Sequence, residues 1–143
     1  MALRNTVWPF DIPAPDPIKK WLGDLYETVD SKDSDSGTKL ASLYSEDAVV
    51  YGMHGKSEGT QAIINSRKSA WDAIDRRDHE VLRVYTGAAG YNDILIIGRL
   101  TVDFKSGKQV TSEFIARIEF EEGTQSTPKA KLYQIWADSA PWK

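Results

Sequence analysis

The sequence predicts an α+β fold, with helices packed on one face of a mostly antiparallel sheet. Three observations carry this. Ile18, Trp21, Leu22, Leu25, Tyr26 and Val29 fall on one stripe at helical spacing. Beyond the middle of the chain the apolar pattern changes to period two and keeps it almost to the end. The resulting order is helix, helix, strand, helix, then four strands, with no repeats or low-complexity tracts.

Four of the six prolines lie between Pro9 and Pro17, interleaved with Trp8, Phe10 and Ile12. Proline removes donors and restricts the residue before it, so residues 1–16 read as an extended arm packed along a surface. Residues 17–143 then form a single domain. Asp16 can cap the first helix, with Pro17 at its first position. Residues 30–37 (DSKDSDSG) are polar and turn-like, and Asp30, one helical turn after Tyr26, can share its edge but reads rather as the start of that turn. A shorter helix carries Leu40, Leu43 and Tyr44. Residues 48–51 form a short strand, ended by Gly52 and the loop 53–56.

The third helix is expected to start at Ser57 or Thr60 and run to about Arg77, with Ile63, Ile64, Ala70, Trp71 and Ile74 inward. Strands follow over residues 81–86, 91–104, 109–121 and 130–138. Gly98 is a natural place for a bulge or bend, and residues 105–108 for a hairpin turn. In the strand from Gln109, the set Val110, Ser112, Phe114, Ala116, Ile118 and Phe120 should face the helices. Residues 94–97 (ILII) are apolar on both faces, which predicts a homodimer through the outer face of the sheet. Glu113 and Arg117 on that face read as a dimer salt bridge.

Composition narrows the chemistry. A chain of 143 residues suits one domain. A net charge of -3 argues against a nucleic-acid partner. No stretch approaches the ~20 apolar residues of a membrane helix, and residues 1–10 have no continuous apolar run, so a cytoplasmic protein is expected. Without cysteine and with only His54 and His79, no metal or cofactor is expected.

Residues 44–51 (YSEDAVVY), 59–63 (GTQAI), 93–98 (DILIIG), 106–108 (SGK), 113–117 (EFIAR) and 133–138 (YQIWAD) carry a family resemblance. Together they resemble the NTF2-like superfamily, in particular SnoaL-like proteins of fungal type, over roughly residues 17–141. The resemblance implies an NTF2-like/cystatin-like cone: three helices on a curved, mostly antiparallel sheet around a conical pocket. It also implies a small hydrophobic ligand in that pocket, and either cofactor-free isomerase, cyclase or dehydratase chemistry or plain binding. The chain lacks the longer tail of the polyketide cyclases, which argues against ester-type ring closure.

Related enzymes place a phenol where Tyr26 stands, so Tyr26 is a candidate donor or a structural tyrosine with a satisfied hydroxyl. Tyr51 and His54 flank the end of the first strand, where imidazole suits proton shuttling; the competing reading is an exposed loop. His79, following the charged run 75–78, reads as a solvated strand end. Arg67 lies within an apolar stripe and can bind an oxyanion or carboxylate, pair with an acid, or snorkel to the edge. If Gln134, Trp136 and Asp138 point inward, Trp136 is a pocket wall and Asp138 a desolvated base; otherwise Asp138 caps the sheet end. The expected catalytic set is therefore Tyr26, Tyr51, His54 and Asp138. Arg67, Ser112, Phe114, Trp71 and Trp136 form the expected substrate-binding set. The function expected is acid–base catalysis on a hydrophobic polycyclic secondary metabolite; the alternatives are a non-catalytic binding module and a dimer with a collapsed cone.

Overall fold

Helix α1 (Asp16–Val29) lays the predicted stripe into the core: Ile18, Trp21, Leu22, Leu25 and Tyr26 are buried. In this computed structural model, which describes all residues 1–143, Pro15 precedes the helix and no side chain caps it. Asp16 is instead the first helical residue, where its charge complements the helix dipole. The remaining elements are α2 (Ser36–Ser42), β1 (Tyr44–Gly52), β2 (Gly55–Glu58), α3 (Thr60–Asn65), β3 (Ile74–Thr86), β4 (Asp93–Phe104), β5 (Gln109–Phe120) and β6 (Ala130–Trp136), followed by a 3-10 turn at Ala140–Trp142.

The strands form one six-stranded sheet in the order β2-β1-β6-β5-β4-β3. Only β1 and β6 pair in parallel. Three helices on a curved, mostly antiparallel sheet give the predicted fold class. The inner face of β5 is as expected, with Val110, Phe114, Ala116, Ile118 and Phe120 buried and Ser112 half-buried. On β4, Ile94 and Ile96 are buried inward while Leu95 is exposed outward.

Three expectations about extent fail for identifiable reasons. The third helix stops at Asn65 rather than near Arg77. There the Ser66 hydroxyl donates back to the Ile63 carbonyl at 2.6 Å, and the backbone continues as tight turns through Arg67, Lys68 and Ala70. The charged run 75–78 is consequently part of strand β3. The loop after Gly52 is a hairpin, because β2 pairs antiparallel with β1.

A bulge shapes the site. Val81 pairs with Gly98 and Arg83 with Ile97, so Leu82 is an extra residue in β3. Val81 and Val84, three apart, are therefore both buried on the inner face. Gly98 has its own reason: any Cβ there would collide with the ring of Phe114, which lies directly over it. The N-terminal arm runs beside the bulge. Val7 donates to the Leu82 carbonyl at 2.9 Å and accepts from the Val84 amide at 3.1 Å, while the Ala2 carbonyl accepts from the Val81 amide at 2.9 Å. Arg4 pairs with Asp78 and Glu80 at 3.0 and 3.2 Å. The arm thus covers the exposed edge of β3.

Candidate functional site

The last turn of α1 presents Tyr26 and Asp30 on one face, because residues four apart on a helix are neighbours. Asp30 closes the helix, its amide donating to the Tyr26 carbonyl at 3.0 Å. Its carboxylate reaches β3 and accepts twice from one residue: from the His79 backbone N–H at 2.8 Å and at the ring Nδ1 at 2.6 Å. Both side chains are mostly buried, 18% and 12% exposed. An ionised carboxylate only accepts, so Nδ1 of His79 carries a proton, and in the neutral imidazole Nε2 is the acceptor.

Aromatic rings hold the imidazole in place. The Tyr26 ring stacks on it with centroids 4.9 Å apart, and Phe114 meets it edge-on at 5.8 Å. The Tyr26 hydroxyl bonds that of Tyr133 on β6 at 3.1 Å. Burial raises both phenols, Tyr26 well above the ordinary value and Tyr133 to about 12, so each is a neutral donor at physiological pH. Ser112 lies in the same cross-strand row as His79, with Leu100 between them.

On the other side of Asp30 are two arginines. Arg67 donates to the Val29 carbonyl at 2.8 Å; Arg77 donates to the same carbonyl at 3.5 Å and to that of Ala70 at 3.0 Å. They supply the cations that the last turn of α1 itself lacks. Burial first, and then the charge of Arg77, lowers Arg67 to about 10, which still leaves it a cation at neutral pH. Arg77 also lies over the Trp71 ring at 4.8 Å, and the indole N–H of Trp71 donates to the Ser31 carbonyl at 3.0 Å. No group of three or more His, Cys, Asp or Glu side chains is placed to hold a metal.

Of the residues expected from sequence, Tyr26, Arg67, Trp71, Ser112 and Phe114 come together here. Tyr51 and His54 do not: both are exposed in the β1–β2 hairpin, at the opposite edge of the sheet from β3. On β6 it is Tyr133 that is buried, while Trp136 is about half exposed. Asp138 is exposed, and its carboxylate accepts from the Ala140 amide at 3.0 Å, capping the chain end. Glu113 and Arg117 do not pair with one another, since four residues along a strand span roughly 13 Å. Arg117 pairs instead with Asp93 at 2.8 Å and Glu113 with Arg99 at 3.8 Å.

Asp30, His79, Arg77 and Tyr133 are the members that sequence reasoning missed. The spacing of Tyr26 and Asp30 was a usable signal. For His79 there was none, because the Leu82 bulge reverses the face that simple alternation assigns to it.

A curved, mostly antiparallel sheet with helices on its inner face defines a fold also seen in solved structures. A ketosteroid isomerase-like protein from Catenulispora acidiphila, in complex with trimethylamine, matches with a TM-score of 0.70 at 10% identity over 90% of each chain. A hexachlorocyclohexane dehydrochlorinase (LinA type 2) matches at 0.66 and 16% identity, covering 85% of this chain and 83% of the other. A candidate SnoaL-like polyketide cyclase from Shewanella denitrificans matches at 0.67 and 14% identity, over 90% and 95%. The protein therefore has the NTF2-like, SnoaL-like fold, on which both catalytic and ligand-binding proteins are built. No family model and no curated protein matches its sequence. No helix is long and apolar enough to cross a membrane.

Proposed function

We propose that this protein is a cofactor-independent acid–base enzyme in which His79 abstracts or relays a proton on a small hydrophobic molecule. The observation that carries the reading is the Asp30–His79 pair, the only histidine–carboxylate contact in the molecule. Asp30 fixes the tautomer and steadies the imidazolium that forms on protonation. Tyr26 holds the ring, Ser112 and the phenols offer donors, and Arg67 stabilises developing negative charge. Isomerisation, cyclisation and dehydration share this proton transfer, as does loss of hydrogen chloride of the kind named for the dehydrochlorinase neighbour. The fungal SnoaL-like branch, a polycyclic secondary metabolite as substrate and a cytoplasmic location belong to the same proposal.

The test requires no knowledge of the product. A panel of cyclic enones and polyketide-like carbon acids is incubated with the protein in deuterated buffer, and deuterium uptake is followed by mass spectrometry. His79→Gln should lower catalysed uptake by about 10²–10⁴-fold, while His54→Ala leaves it unchanged. Uptake indifferent to His79 refutes the assignment.

A binding module without catalysis is the second reading. It is favoured by the filling of the cone with Tyr26, Tyr133 and Phe114, and by two open grooves, of about 500 and 440 Å³, that lie away from the dyad. It predicts no uptake from any member of the panel. In either reading the outer face, where Tyr85, Leu95, Ile115 and Trp136 are each close to half exposed, is proposed to take a second copy of the chain.

A further inference from the structure

The arginines beside Asp30 are underemployed. The chain has seven, and Arg4, Arg76, Arg99 and Arg117 each have a carboxylate within ion-pair distance. Of the other three, Arg83 is exposed to water, whereas Arg67 and Arg77 are half-buried, share one acceptor, the Val29 carbonyl, and likewise have no carboxylate partner. The nearest carboxylate, Asp30, is already committed to both N–H groups of His79. The Arg67 Nε is the one buried side-chain nitrogen or oxygen in the molecule without a hydrogen-bond partner.

Capping α1 explains one of these cations, not two. A single guanidinium satisfies the Val29 carbonyl, and a second brought to the same atom adds like-charge repulsion in a partly dehydrated place. Most N–H donors on the two planar forks are unspent. Buried polar groups in folded proteins are almost always paired, so an orphan donor between two cations marks a place where a partner is missing.

We infer that Arg67 and Arg77 form an anion seat beside the dyad and that it takes the carboxylate of a small organic acid. Rigid forks favour a planar, bidentate anion over a spherical one. The half-buried setting favours a singly charged anion over a heavily hydrated dianion. The Trp71 ring, over which Arg77 already lies, supplies an apolar wall for the body of the ligand. The catalytic meaning of the seat rests on the proposed dyad: it makes the substrate class of that site an apolar molecule bearing a carboxylate, held with its carbon skeleton toward His79.

The experiment reads binding without turnover. Benzoate and benzamide have the same ring and nearly the same shape but differ in charge; both are titrated into the full chain by calorimetry and ligand-observed NMR. Benzoate should bind at least about tenfold more tightly than benzamide, and Arg67→Gln and Arg77→Gln should each weaken benzoate about tenfold or more. Arg67→Lys keeps the charge without the fork and should fall between wild type and Gln. It also decides the matter should a Gln variant fail to fold by far-UV circular dichroism. Equal affinity for the two ligands, or folded arginine variants that bind benzoate as wild type does, overturns the seat. Chloride or phosphate bound more tightly than benzoate overturns the carboxylate assignment. His54→Ala, at the opposite edge of the sheet, should bind benzoate unchanged. If proton abstraction proves independent of His79 while benzoate still depends on Arg67, the dyad reading fails and the seat stands.

Discussion

Replacing Asp30 by Asn separates what the carboxylate does for the imidazole from what it does for the fold. In the native chain both carboxylate oxygens accept, one from the His79 amide at 2.8 Å and one at Nδ1 at 2.6 Å. Asparagine is nearly isosteric but has one oxygen and one amide nitrogen. Its oxygen keeps the backbone donor, and its NH₂ group then faces Nδ1. The clash is relieved only if the ring proton moves to Nε2. Both hydrogen bonds survive, so the stability cost is mainly the lost charge assistance, about 1–2 kcal/mol, or a Tm lower by roughly 2–8 °C in a domain of this size. The free base, however, is gone, and catalysed deuterium uptake should fall about 10²–10⁴-fold. Long-range proton–nitrogen correlation spectra of imidazole-labelled protein assign the tautomer directly, and urea unfolding followed by tryptophan fluorescence gives the stability. A wild-type His79 with its proton on Nε2, or an Asn variant that keeps Nε2 free, would show the reasoning to be wrong.

Other outcomes follow from the same geometry. Gly98→Ala should destabilise the protein by about 1–3 kcal/mol through the collision with the Phe114 ring, seen as a lower urea midpoint with an unchanged slope; a neutral effect would mean the ring is not held there. At alkaline pH the buried phenols matter. Tyr133 ionises near 10 when unfolded but at about 12 when folded, so its contribution is intact below pH 10 and is lost as the pH rises through 12. Over that window it is on the order of 2–3 kcal/mol; the urea midpoint should drop between pH 10 and 12, and less steeply in Tyr133→Phe. Ile115→Asp, in the middle of the outer face, should convert a dimer to a monomer in analytical ultracentrifugation, whereas a wild-type monomer at high concentration rules out the second copy.

The strand faces and α1 were legible because their periodicity is unbroken: the β5 alternation from Val110 to Phe120 and the stripe from Ile18 to Val29 need only counting. Where local chemistry competes with periodicity, counting fails. The apolar spacing of Ile63, Ala70, Trp71 and Ile74 resembles a helix continued to Arg77, yet Ser66 turns its hydroxyl onto the backbone and the side chains of Arg67 and Trp71 reach across to carbonyls around the end of α1. The candidate site was half legible for the same reason. Tyr26, Ser112 and Phe114 follow from stripes, whereas Arg67 and Trp71 were singled out on a helical stripe that the structure ends at Asn65. Asp30 was hidden inside a run of turn-forming residues, and His79 behind a one-residue insertion with no marker at Leu82. Tyr51, His54 and Asp138 had suitable chemistry, but the first two lie in the exposed β1–β2 edge hairpin and Asp138 lies past the end of β6, and the sequence pattern does not say which strand ends the sheet or where a strand stops.

That insertion gives the N-terminal arm an importance that its modest contacts do not suggest. The hydrogen bonds from Ala2 and Val7 engage the backbone on both sides of Leu82, so the arm works as a latch against slippage of β3 by one position. A chain shortened to begin at Pro17 would retain every residue of the dyad and of the arginine pair. It would lose the restraint that keeps the imidazole on the inside of the cone, since a slip of one residue turns His79 toward water and brings Glu80 or Asp78 in its place. Inactivation by trimming would then be geometric, an inverted site, on top of the loss of the core contacts made by Ala2, Leu3, Trp8, Ile12 and Ala14.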